Sequence, residues 1–184
     1  EIATIGNAID FGDLSARRGY PGACGDPVRM VIFGGYSNSV GSPLGLRTSD
    51  TVKYSSNGNA VDFGDASHGG SSKAGANSTR GIWAGTSGGG NTYTNIMYTV
   101  SIQTLGNSTD FGDRTYHYVG SAMASQTRLV MAGGKAAASP HATTNIMDFV
   151  QFASSGNAQD FGDLSFDQAD AGGASDCHGG LGGF

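Results

Sequence analysis

Apolar side chains recur along this chain at spacing two, in short stretches bounded by glycine and small polar residues. Val52 and Tyr54, Val100 and Ile102, and Val150 and Phe152 alternate with polar neighbours ahead of three Gly-Asn pairs, and Ile2 takes the last of these slots ahead of a fourth. Alternate side chains of a pleated strand point to opposite faces, so period two predicts a β-strand before each pair. Thr94-Asn-Ile-Met97 and Thr144-Asn-Ile-Met147 open two of these strands identically. Between them lie apolar runs that end in small residues: Arg29-Met-Val-Ile-Phe-Gly-Gly35, Arg80-Gly-Ile-Trp-Ala-Gly-Thr86 and Arg128-Leu-Val-Met-Ala-Gly-Gly134. Cys177-His-Gly-Gly-Leu-Gly-Gly183 falls in the same register, with cysteine in the arginine slot. No stretch carries a helical period, and the density of Gly, Thr and Asn opposes helix independently.

The strands belong to a repeat. Gly6-Asn-Ala-Ile-Asp-Phe-Gly-Asp13, Gly58-Asn-Ala-Val-Asp-Phe-Gly-Asp65, Gly106-Asn-Ser-Thr-Asp-Phe-Gly-Asp113 and Gly156-Asn-Ala-Gln-Asp-Phe-Gly-Asp163 align without gaps. Their phenylalanines, Phe11, Phe63, Phe111 and Phe161, are 52, 48 and 50 residues apart, a period that points to stacked supersecondary units. Asn7, Asn59, Asn107 and Asn157, each following a glycine, read as tight turns that reverse the preceding strand into an Asp-Phe-Gly-Asp strand. Each phenylalanine then becomes the packing anchor of its repeat. Asp10, Asp62, Asp110 and Asp160, with Asp13, Asp65, Asp113 and Asp163, are read as acceptors for turn N–H groups in preference to calcium ligands.

Composition narrows the function. Charged residues make up 14% of 184 and the net charge is −5, so the polar surface is built mainly from Ser, Thr, Asn and Gly. Without a basic stripe there is no footprint for nucleic acid, and no apolar run reaches the roughly 20 residues of a membrane-spanning helix. Such a surface suits a protein exposed outside cells. The chain begins inside a strand, so either a leader has been removed or it is part of something longer.

An apolar strand ending in Gly-Gly, a loop, a strand and a later aromatic anchor resemble the kelch repeat, with phenylalanine in the tryptophan slot and Gly85-Thr86 for one Gly-Gly. The resemblance implies an all-β, kelch-like β-propeller of four blades in a single domain over 1–184. The blades would run approximately over 15–66, 67–113 and 114–163, with one blade split between the termini: 164–184 completed by 1–14 of the same or a neighbouring subunit. The same subunit would give a closed ring and a neighbour a filament. The Gly-Asn-Ala-x-Asp-Phe-Gly-Asp wording also resembles repeats in virion structural proteins and fibres of marine and cyanobacterial phages, which implies a structural or host-contacting role.

Chemistry was sought in the remaining residues. His68, His117, His141 and His178 fall at unrelated repeat positions, and Asp-Phe-Gly occurs here without the other kinase elements. No catalytic set, cofactor site or metal site is recognisable, and the expectation is of no enzyme. Arg29, Arg80 and Arg128 are expected to pair with motif aspartates, with anion or glycan binding as the alternative. Tyr20, Tyr36, Tyr93, Tyr116 and Tyr118 are expected to pack within strands, with stacking on sugars as theirs. Cys24 and Cys177 would be neighbours across the split blade and are a candidate disulfide. The expected function is a structural module of an extracellular filament or phage fibre, partnered with itself. The alternative is a lectin-like propeller that binds surface glycans at one weak site per blade.

Overall fold

The computed structural model describes residues 5–37, 45–88, 92–136, 140 and 142–175. Ile2, His141, Cys177, His178 and the Cys177–Gly183 block lie outside the described residues.

Among the described residues the chain is all-β, with three antiparallel sheets, each closing on one copy of Asp-Phe-Gly-Asp. The first sheet orders β1 (Gly22–Gly25), β2 (Arg29–Phe33), β3 (Thr48–Lys53) and β4 (Val61–Asp65) consecutively. The second contains β5 (Ser71–Ala76), β6 (Arg80–Gly88), β8 (Ile96–Ser101) and β9 (Thr109–Asp113), with the short β7 (Thr92–Tyr93) paired to β6. The third orders β10 (Ser121–Ala124), β11 (Arg128–Lys135), β12 (Thr143–Gln151) and β13 (Gln159–Gln168). The first strands lie together: β1 packs on β5, and β5 on β10.

The faces between sheets carry the core. Val31, Phe33 and Phe63 of the first sheet meet Trp83, Tyr98 and Val100 of the second, and the Phe33 and Trp83 rings stack with centroids 4.1 Å apart. Ile82, Met97 and Phe111 of the second sheet meet Leu129, Met131 and Val150 of the third. Phe63 and Phe111 are each 2% exposed, whereas Phe11 is 39% and Phe161 49% exposed, because neither lies between two described sheets.

The motif has a backbone reason. Asp62 pairs with Asp50 and Gly64 with Ser49, so Phe63 is an extra residue that bulges from β4. The same shift leaves Phe111 unpaired between Asp110 and Gly112, opposite Tyr98 and Met97, and Phe161 between Asp160 and Gly162, opposite Asp148 and Met147. A bulge turns the strand and redirects one side chain, here aiming Phe63 and Phe111 into the core. Gly-Asn, in contrast, is not the tight turn. The chain reverses a few residues earlier, at Tyr54–Ser56, Ile102–Thr104 and Phe152–Ser154, and then runs without a turn through Gly-Asn. Tyr54, Ile102 and Phe152 therefore sit in the turns and not in the strands that their period-two spacing predicts.

Candidate functional site

Most motif residues have a defined partner. The Oδ1 atoms of Asp10, Asp62, Asp110 and Asp160 accept from the N–H of Gly12, Gly64, Gly112 and Gly162 at 3.0, 3.1, 2.9 and 2.9 Å, which closes the bulge. The carbonyl freed at the bulge serves the next repeat: Gly58 N–H donates to Phe11 O, Gly106 N–H to Phe63 O and Gly156 N–H to Phe111 O. Asp13 O, Asp65 O and Asp113 O accept likewise from Ala60, Ser108 and Ala158 N–H. The side-chain oxygens of Asn59, Asn107 and Asn157 complete the stitch by accepting from Asp13, Asp65 and Asp113 N–H at 3.0, 2.9 and 3.0 Å. Gly-Asn thus joins consecutive repeats. Among the described residues Asn7 and Asp163 do not make the corresponding bond.

A second set of links locks the third strand of each sheet to the segment that follows the preceding motif. Asp50 on β3 pairs with Arg18 at 3.1 Å and accepts from Ser15 N–H and Oγ. Asp148 on β12 pairs with Arg114 at 2.8 Å and accepts from Thr115 N–H and Oγ1. At the equivalent place on β8, the Tyr98 hydroxyl meets His68 Nδ1 at 2.8 Å. Both ion pairs are fully buried. Two of these partners, Arg18 and Arg114, were invisible to repeat matching because they sit at different offsets from their phenylalanines.

The repeated arginines do something other than pair with motif aspartates. Arg80 Nη1 donates to Phe152 O at 2.6 Å, and its guanidinium lies 5.9 Å from the Phe111 ring centroid. Arg128 lies over Phe149 at 5.2 Å. Arg29 Nε is buried and has no hydrogen-bond partner among the described residues. Cys24 is buried in the core between the first two sheets, while its candidate partner Cys177 lies outside the described residues.

Beside each hairpin that carries Gly-Asn is a cleft. The first, about 430 Å³, is lined by Arg29, Lys53, Ser56, Asn59, Val61 and Leu105 among others. The second, about 390 Å³, uses the equivalent Arg80, Ser101, Thr104, Asn107 and Thr109. The third, about 270 Å³, uses Gln151, Ser154, Asn157 and Gln159. Hydroxyl and amide groups line all three, Leu105 borders the first two, and no lining residue is acidic.

A different polar cluster forms where β5, β10, β11 and the segment after β13 approach. The Tyr118 hydroxyl donates to Asp170 Oδ1 at 3.0 Å and lies 3.2 Å from Ser71 Oγ, while Lys135 Nζ reaches Asp170 Oδ2 at 2.6 Å. Tyr93 packs on the Tyr118 ring. Burial pushes the Tyr118 hydroxyl up to about 12. The hydrogen bond from Lys135 holds the Asp170 carboxyl below its ordinary range, and the same bond raises the lysine. Asp170 has φ of 57°, a left-handed conformation uncommon for a residue with a side chain. Of the other tyrosines, Tyr20 is 78% exposed, and the Tyr116 ring lies tilted against His117, with centroids 6.0 Å apart.

No protein-family model matches the chain, nor does any curated protein sequence. Among solved structures it is similar to YjhT, with a TM-score of 0.66 and 12% identity over 82% of this chain and 54% of that one. The chain therefore spans about half the length of the structure it matches, and at this identity the likeness is one of fold. This corrects the expected kinship: the fold relationship runs to YjhT and not to a kelch-like repeat of phage fibres. The filament, fibre and virion role drawn from that kinship falls with it. The expectation that the chain is no enzyme, which had rested on the lack of a recognisable catalytic set, is likewise not supported by this fold relationship.

Proposed function

We propose that the chain is a glycan-binding module of β-propeller architecture, each sheet a blade, and that it works outside cells. The observation that carries the reading is the recurrence of a cleft with hydroxyl and amide groups in its wall at the same hairpin of all three described sheets. Volumes of 270 to 430 Å³ are the size of small ligand sites, with room for one or two sugar rings. Sugars present hydroxyl groups over faces of C–H bonds, and these clefts offer Ser, Thr, Asn and Gln beside Leu105 and the half-exposed Val61. The stitch holds each hairpin from the preceding repeat, so the lining is positioned before any ligand arrives, which lowers the ordering cost of binding. The propeller reading is supported by the adjacency of β1, β5 and β10 on one side and by the face-to-face cores between successive sheets.

The test is a glycan array probed at high protein concentration, followed by titration of any hit. The reading predicts weak binding at more than one site per chain, reduced several-fold by Thr104→Ala or Ser154→Ala. An array that stays blank up to millimolar protein would remove it.

A further inference from the structure

The three clefts occupy one repeat position but differ in charge. Arg29 and Lys53 face each other in register on β2 and β3, and both line the first cleft. The second cleft has Arg80 alone, already committed to Phe152 O and the Phe111 ring, with Ser101 in place of the lysine. The third contains no cation, and Gln151 stands where Lys53 does. The nearest acid to Arg29 along the chain, Asp26, is 6% exposed and occupied by the N–H groups of Val28 and Arg29. The first cleft therefore combines two cations with no lining carboxylate, in a chain whose net charge is −5. Arg29 as a whole is only partly buried, so its guanidinium is placed to meet a group entering the cleft. Guanidinium groups pair best with planar or tetrahedral oxyanions.

We propose that the first cleft is specific for an acidic sugar, one bearing a carboxylate or a sulfate, while the second and third take neutral sugars. The inference rests on the glycan-binding reading and deepens it. The Arg29 guanidinium pairs with the anion, Lys53 adds a screened attraction from the rim, and the Ser56 and Asn59 side chains hold ring hydroxyls.

The experiment is an array in which each neutral oligosaccharide is paired with its uronate or sulfated counterpart, with hits titrated by calorimetry. A charge-assisted bond is expected to favour the acidic member by about tenfold. Arg29→Gln and Lys53→Gln should each erode that preference, and the exposed Lys53 provides a variant whose folding is not at issue. Raising salt to about 0.5 M should weaken the acidic member more than the neutral one. Equal binding of both members would overturn the inference and leave glycan binding standing. Failure of every sugar would overturn both. Inorganic sulfate binding as tightly as the acidic sugar would show an anion site with no sugar recognition, which also overturns it.

Discussion

At the scale of single residues, burial separates four identical phenylalanines into two kinds. Phe63 and Phe111 fill inter-sheet cores, so replacing either with alanine should destabilise the fold by about 3–5 kcal/mol. Phe161→Ala should cost less than about 1.5 kcal/mol, since half of its ring is already in water. Urea unfolding of the three variants checks the contrast, and equal losses would contradict it. The Arg114–Asp148 pair has no exposed atoms, so Asp148→Ala strands a buried guanidinium and should cost about 3–5 kcal/mol. Tyr118 adds a dependence on pH. Its folded value is raised from 10.0 to about 12, so its neutral form stabilises the fold fully below pH 10.0. That contribution is lost as pH rises towards 12. Alkaline unfolding followed by circular dichroism should therefore begin above pH 10 and start later in Tyr118→Phe. The depressed Asp170 acts in the opposite direction, helping above the ordinary carboxylate range and ceasing to help as pH falls through its lowered value.

At the scale of elements, the unit is a bulged hairpin sewn to its neighbour. Gly64 shows why the motif needs glycine: its φ is 139°, and a Cβ there would lie 2.5 Å from Gly106 O of the next repeat. Gly162 has a similar φ of 130° but meets only the Met147 methyl, at 3.9 Å. Gly64→Ala should thus lower the melting temperature more than Gly162→Ala, the difference measuring the stitch itself; calorimetry decides. Much of this unit was legible in the chain. Period-two spacing located the strands but ran one residue past their ends, into the turns at Tyr54, Ile102 and Phe152, and the spacing of the phenylalanines marked one sheet for each of the last three motifs. What could not be read was the partner of Gly-Asn, because a local rule assigns the pair to a turn, whereas its hydrogen bonds go to a residue more than 40 positions earlier. The arginine roles were hidden for the same reason: Arg80 reaches a carbonyl 72 residues away. The clefts were anticipated only as a count of one weak site per repeat. Their walls come from hairpin turns whose sequences vary, and Leu105 reaches the first cleft from another sheet.

At the scale of the molecule, the three described sheets share two cores and expose a cleft at one repeat position three times, so weak sites are held at fixed separations. A branched or repeating glycan that spans two clefts gains from that arrangement, because the second contact is intramolecular. Its apparent affinity should exceed that of its monosaccharide by about a hundredfold or more, measurable by surface immobilisation at both valencies. The most direct test of the account is to map amide shifts by NMR while titrating an oligosaccharide that the array selects. The account predicts perturbations clustered at 99–109 and 149–159 for a neutral oligosaccharide, extending to 51–61 for its acidic counterpart, with the Tyr118–Asp170 cluster unmoved. Shifts confined to Tyr118, Lys135 and Asp170, with the three hairpins silent, would contradict it and move the binding site to the other end of the sheets' inner strands.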